Sequence, residues 1–249
     1  QLKNKNKMVR QAALTGLAKM NSSVNIELIC SLLEDPDVYV INKAIDVIVN
    51  MKHPDTVQYL IRSLKCESEF SRRAAVEVLN EIGTKKDIKH LLSAISDEDW
   101  MVRTRASDAL ARIGGERVIN AVLELIKDKN EDVRRAAIEI LNTCKDPRAV
   151  KHLIAATADE DWWVSERAVD ALAEIGDVKA VPAILKMLDR GEKSVPSALR
   201  ALGRLKDKRA LKKSLPFVKN EDKEIKGAAI EAVANMTEDK HRDAVRNYI

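Results

Sequence analysis

The stretch Asp132-Val133-Arg134-Arg135-Ala136-Ala137-Ile138-Glu139-Ile140-Leu141 opens an amphipathic helix, and relatives of it recur from one end of the chain to the other. With Val133 as anchor, a small residue follows at +4 (Ala137) and a large one at +8 (Leu141). The same pair follows Val9 (Ala13, Leu17), Val40 (Ala44, Ile48), Ser71 (Ala75, Leu79) and Val102 (Ala106, Leu110). It continues after Val164 (Ala168, Leu172), Ser194 (Ala198, Leu202) and Ile225 (Ala229, Val233). The interval from one anchor to the next is constant, except that the step from Val164 to Ser194 is shorter by a single position. At +4 every copy has alanine.

Positions 0, +4, +8 and +11 share one stripe of an α-helix. The side chains at +11 (Met20, Met51, Ile82, Ile113, Cys144, Ile175, Leu205, Met236) are apolar as well. An unvarying alanine marks where a second helix approaches too closely for a longer side chain. Ahead of every anchor but the first runs another apolar segment, at 24–33, 56–64, 88–95, 118–126, 150–156, 181–188 and 211–218. Turn signals such as Gly83, Gly114-Gly115, Asp146-Pro147 and Gly176 separate the two helices. Each repeat therefore predicts a helical hairpin, and stacked hairpins build an all-α protein, an α-solenoid.

Phrases such as Asp161-Trp162-Trp163-Val164-Ser165-Glu166-Arg167-Ala168-Val169-Asp170-Ala171-Leu172-Ala173-Glu174-Ile175-Gly176-Asp177 resemble HEAT repeats. More narrowly they resemble the short variety, of roughly 31 residues, first associated with phycobilisome lyases. The resemblance covers essentially the whole chain. It implies a right-handed superhelix, a single array of about eight repeats over residues 1–249, with the second helices lining a groove. Motif residues of this kind are packing residues, so they speak for fold and leave function to the surface.

Composition agrees with this reading: aromatics make up 3% of the 249 residues and charged residues 33%, as an Ala/Leu/Ile/Val core with solvated outer faces requires. No apolar run approaches the ~20 residues that span a bilayer, and no signal peptide opens the chain. Cys30, Cys66 and Cys144 have neither metal-ligand nor paired spacing, which points to a reducing, cytoplasmic setting and no membrane partner. The chain begins on a second helix and ends, over 240–248, on a first one, so both ends read as cut from a longer protein.

His53, His90, His152 and His241 are solitary, whereas the iron-binding HEAT hydroxylases would require His-Glu pairs. Gly-rich phosphate loops, Cys/His nucleophile settings and matched carboxylate pairs are also missing. The expectation is a non-catalytic protein with no catalytic residue, cofactor or metal.

Charge is laid out in rows. Arg10, Arg72, Arg103, Arg134 and Lys226 follow their anchors directly, and a row of cations can track a phosphate backbone. Acids precede the same anchors, among them Asp37, Asp99, Asp161 and Asp222, so a ladder of ion pairs between repeats is the stronger reading. Asp37 has the place of a helix N-cap. The +6 row (Asp46, Glu77, Asp108, Glu139, Asp170, Arg200, Glu231) is mostly acidic. Its acids lie one turn after Arg73, Arg105, Arg135 and Arg167, as for intrahelical pairs.

Two turns, Asp97-Glu98-Asp99-Trp100 and Asp159-Glu160-Asp161-Trp162-Trp163, stand two repeats apart and hold every tryptophan of the chain. Helices stacked at roughly 8–10 Å would set them about 20 Å apart on one edge. Trp100 and Trp162 are expected to cover a neighbouring helix while their acids cap the next one. Trp163, which stands where Met101 does, is the expected exposed contact. The sharper alternative makes Trp100, Trp162, Trp163, Asp99 and Asp161 a pair of acidic-aromatic sites for a basic protein partner.

The seventh repeat is one residue short. Gly191 replaces an acid in its turn, and Pro196 enters the first turn of its second helix. Over 200–219, Arg200, Arg204, Lys206, Lys208, Arg209, Lys212, Lys213 and Lys219 face only Asp207, in a chain of net charge +4. A solvated face is the plain reading. An anion contact through Arg200, Arg204, Lys208, Arg209, Lys212 and Lys213 is the alternative. The sequence thus predicts a scaffold for a protein partner or another domain of its own chain. Nucleic acid is the first alternative, and bilin handling, suggested only by the subfamily's name, is the second.

Overall fold

The computed structural model describes residues 1–20 and 26–237, the side chain of Met20 excepted, and among them every regular element is helical. The expected first helix over 240–248 and the start of the 24–33 segment lie outside the described residues. The chain forms two compact units, Gln1–Val118 and Ile119–Ile249. Unit 1 holds α1 (Lys7–Met20), α2 (Ile26–Cys30), α3 (Val38–Met51), α4 (Thr56–Ser63), α5 (Glu69–Ile82), α6 (Ile88–Ala94) and α7 (Trp100–Ile113). Helix α8 (Gly115–Leu125) contains the unit boundary. Unit 2 holds α9 (Glu131–Cys144), α10 (Val150–Ala156), α11 (Trp162–Ile175), α12 (Val181–Met187), α13 (Val195–Leu205), α14 (Leu211–Ser214) and α15 (Lys223–Met236).

In each unit the second helices pack one on the next: α1, α3, α5 and α7 in unit 1, and α9, α11, α13 and α15 in unit 2. The first helices pack on their hairpin partners, as α4 does on α5, α6 on α7, α10 on α11 and α12 on α13. The stripe read from the sequence is the seam. Ala44 and Ile48, Ala75 and Leu79, Ala106 and Leu110 are fully buried in unit 1. Ala137 and Leu141, Ala168 and Leu172, Ala198 and Leu202, Ala229 and Val233 are fully buried in unit 2. The +11 position is less covered than expected: Met51, Ile82, Ile113, Cys144 and Ile175 are only half-buried. Position +7 (Val47, Val78, Ala109, Ile140, Ala171, Ala201, Ala232) is buried in its place. First helices of seven or eight residues packed on second helices of fourteen leave the last turn partly uncovered.

Small residues set the closest approach. A methyl group on Gly203 of α13 would stand 2.7 Å from Ala232 Cα of α15, inside contact distance. The 211–218 segment is not one helix, because Pro216 cannot donate to the ladder; α14 stops at Ser214 and a 3₁₀ stretch, Leu215–Lys219, follows. Second helices close at +12. There Lys52, Lys145, Lys206 and Gly176 adopt left-handed φ values of 47°, 49°, 52° and 79°, and each amide donates to the +8 carbonyl.

Candidate functional site

The turns before the second helices follow one construction. At anchor −3 a short polar side chain caps the helix: Asp37, Asp99, Asp161 and Asp222 each accept from the two amides that open it, at 2.7–3.3 Å. At −5 a second side chain accepts the cap residue's own amide, as Asp35, Asp97, Asp128 and Asp159 do at 2.8–2.9 Å.

Three +1 arginines form a ladder between repeats, but with the −5 acids and not with the expected Asp37, Asp99 and Asp161. Arg10, Arg72 and Arg134 are buried, and each grips the −5 aspartate of the following repeat with two nitrogens: Asp35 at 2.7 and 2.8 Å, Asp97 at 2.9 and 3.1 Å, Asp159 at 3.0 Å twice. The remaining nitrogen donates to two carbonyls of the arginine's own turn, as Arg72 does to Cys66 and Glu67. Bidentate, charge-assisted bonds of this kind fix geometry as well as charge. These arginines are therefore occupied by protein.

Arg73 and Arg135 depart from the intrahelical pairing expected with Glu77 and Glu139. Each reaches forward to the next cap, Arg73 Nε to Asp99 at 2.9 Å and Arg135 Nε to Asp161 at 3.0 Å. Arg105 and Arg167 do pair within their helices, with Asp108 and Asp170 at 3.5 and 3.3 Å, and also reach back to Glu77 and Glu139. The Arg73 bond holds the Asp99 carboxyl below its ordinary range against a desolvation cost. At Asp161 burial is the largest influence and pushes upward, but Arg135 and two amides together outweigh it and leave the carboxyl low. Asp99 and Asp161 thus spend their charge inside the turn, and the outward acids beside them are Glu98 and Glu160.

The tryptophans reverse the sequence expectation. Trp100 and Trp162 are 63% and 67% exposed, and Trp163 is half-buried with the Arg167 guanidinium 5.7 Å from its ring centre. The −2 position is the first residue of the helix and points off the stack. The −1 position instead lies beside a cation: Arg73 sits over Phe70 at 5.5 Å and Lys7 over Tyr39 at 5.7 Å. In unit 1 the −1 column, Met8, Tyr39, Phe70 and Met101, runs across the first turns of α1, α3, α5 and α7. With Val38 and Trp100 it leaves large apolar side chains uncovered on four successive second helices. Residue type repeated at the anchor interval carries that signal, and only Tyr39 stands out from the sequence by itself.

Unit 2 has a different feature. Helix α13 begins three residues later in register than α11 or α15, because Gly191 has no side chain to cap it and Glu192–Ser194 form a 3₁₀ turn instead. A cleft of about 710 Å³ opens there between Trp162 and Glu166 of α11, Ser197 and Arg200 of α13, and Glu224 and Ile225 of α15. Of the basic segment, only Arg200 lines it. Arg200 bonds Glu224 at 3.2 Å, Arg204 bonds Glu174 at 2.9 Å, Arg209 bonds Asp207, and Lys213 bonds Asp189. Lys208 and Lys212 lie on a 3₁₀ turn and on α14, away from α13, so these six do not form one row.

No group of His, Cys, Asp or Glu among the described residues is placed to hold a metal. Burial pushes every thiol up, Cys30 to about 12, and Cys66 and Cys144 in the same direction, opposite to an activated nucleophile. No helix among the described residues is long and apolar enough to cross a membrane.

Solved structures share this fold. Kap95p, from the structure in which it binds RanGDP, is 17% identical with a TM-score of 0.69, over 100% of this chain and 42% of its own. Importin beta, crystallised with ammonium sulfate, is 14% identical with a TM-score of 0.64, over 94% of this chain and 39% of its own. YibA of Escherichia coli is 20% identical with a TM-score of 0.58, over 94% of this chain and 89% of its own. At such identities the likeness is one of fold, and this chain spans less than half the length of the first two. No curated protein matches it in sequence. The pattern that describes HEAT repeats matches at residues 1–79, 26–111, 64–139 and 119–196, and by that match the chain belongs to the HEAT-repeat family.

Proposed function

We propose that this chain is a non-catalytic scaffold, a single array of about eight repeats that binds a protein partner, or another domain of its own chain, through the N-terminal turns of its second helices. The observation that carries this reading is the uncovered apolar column of unit 1, where Met8, Tyr39, Phe70 and Trp100 are each more than half exposed. Isolated exposed apolar residues need no explanation, but a row on successive helices rimmed by charge marks an interaction surface. Trp100, Trp162 and Trp163 are the proposed anchors, and Asp99 and Asp161 orient them by capping the helices they open. The short interval between anchors, uniform but for the step from Val164 to Ser194, supports assignment to the phycobilisome-lyase-like variety of HEAT repeat. No specific observation favours nucleic acid, since Arg200, Arg204, Arg209 and Lys213 already hold carboxylates.

Photo-crosslinking tests this. A benzophenone side chain at Phe70 or Trp100 is expected to yield discrete protein adducts that one at Lys89 of α6 does not, and Tyr39→Ser should remove the adducts formed from position 70. Nucleic-acid adducts, or equal labelling from all three positions, would overturn the reading.

A further inference from the structure

The cleft of unit 2 has walls of unlike chemistry. On one side stands Trp162, two-thirds exposed and with its ring free to be covered. Opposite it, the α15 wall presents Ile225 and Glu224, and Glu224 is tethered by Arg200 at 3.2 Å. Glu166 and Glu192 also line the cleft. Glu166 accepts no hydrogen bond among the described residues. Burial pushes its carboxyl up, Asp170 adds to this, Arg200 opposes it, and Glu224 adds again. The lining carries four carboxylates, Glu166, Glu192, Asp222 and Glu224, against Lys193 and Arg200. Asp222 is spent on its cap and Glu224 on its arginine. That leaves two carboxylates beside an aromatic face.

We propose that this cleft receives an arginine side chain from an extended basic segment of a protein partner, its guanidinium stacked on Trp162 and paired with Glu166 and Glu192. The planar guanidinium suits the site better than an ammonium does, since it can lie flat on an indole and still donate in its own plane to carboxylates. An acidic or neutral segment would gain the indole contact and lose the pairing. The cleft exists because the seventh repeat lost one residue and its capping side chain. In the neighbouring repeat the first helical turn at that place runs on to a cap at Asp161. The inference rests on the protein-binding reading, yet concerns a site outside unit 1.

The test uses the full chain with Trp100→Phe and Trp163→Phe, so that Trp162 alone reports. An acetylated Arg-Gly-Arg-Gly-Arg amide should change Trp162 emission saturably, and the glutamate counterpart should not. Glu166→Gln with Glu192→Gln should weaken binding at least tenfold. Ser197→Lys should abolish it by occupying the cleft, and Ser197→Glu should tighten it. Circular dichroism on each variant keeps folding separate from binding. A signal that does not saturate, equal binding of the glutamate peptide, or indifference to all three variants would overturn the inference. Crosslinking from the unit 1 column surviving such a result would leave the protein-binding reading standing, and its loss there would remove both.

Discussion

The turn at Asp161 and the turn at Gly191 sit one repeat apart in the same unit and solve the same problem differently. At Asp161 a carboxylate caps α11, accepts Arg135 from the preceding repeat, and has its own amide held by Asp159, which Arg134 grips in turn. Its capping and ladder carboxylates are all taken by the protein, and Trp162 and Glu160 alone face outward. At Gly191 there is no cap, φ reaches 138°, and the first turn of the helix is a 3₁₀ substitute. The regular turn spends its polar groups on stability, and the irregular one leaves Glu192 uncapped beside Trp162 and Glu166 of α11. Departure from the repeat thus opens a cleft, where conformity leaves only first-turn side chains such as Trp100 uncovered.

Four changes would break or sharpen that contrast. Arg134→Ala should have the largest effect, since it strands a largely covered aspartate and two turn carbonyls, and loss of one partner of a buried pair costs about 3–5 kcal/mol; urea unfolding followed by helicity measures it. Gly203→Ala should cost about 1–3 kcal/mol by overpacking α13 against α15, read as a fall in the urea midpoint. Asp161→Ala removes a working cap and should cost about 1–2 kcal/mol, against a much smaller effect of Ser194→Ala, whose hydroxyl donates to carbonyls and caps nothing. Equal losses from those two would show that the turns do not differ as described.

The smallest effect is one of pH. Asp161 lies below its unfolded value, so its contribution is present above about pH 3.9 and is lost as pH falls towards its folded value. Glu166 lies above its unfolded value, so its contribution is present below about pH 4.3 and is lost as pH rises through its folded value. Glu166→Gln should therefore raise the melting temperature slightly at pH 7 and leave it unchanged near pH 3.

Most of the fold was legible because helix packing writes itself into residue size at fixed spacing, as at Ala137 and Leu141. The arginine ladder was legible in part: acids and bases at the anchors marked it, but the +1 arginines pair two positions upstream of the acids read, and the +2 arginines take those instead. Exposure of Trp100 and Trp162 was not, since the repeat pattern places both in a helix's first turn without fixing whether a neighbouring helix covers them. Sequence windows also mislead about charge in a repeat protein. The partners of Arg200, Arg204 and Lys213 lie 24, 30 and 24 residues away, outside the window that made the segment look basic. The cleft was not legible, because three separate helices supply its lining, although Gly191 and the missing residue had marked its place.

The forward-reaching arginines carry a consequence for how such a chain can be shortened. Arg72 with Asp97 and Arg73 with Asp99 reappear two repeats later as Arg134 with Asp159 and Arg135 with Asp161. The interchangeable module is accordingly two hairpins long. Excising two whole repeats hands each arginine a carboxylate of the same kind, whereas excising a single one would present Arg73 with Asn130, an amide in place of an anion.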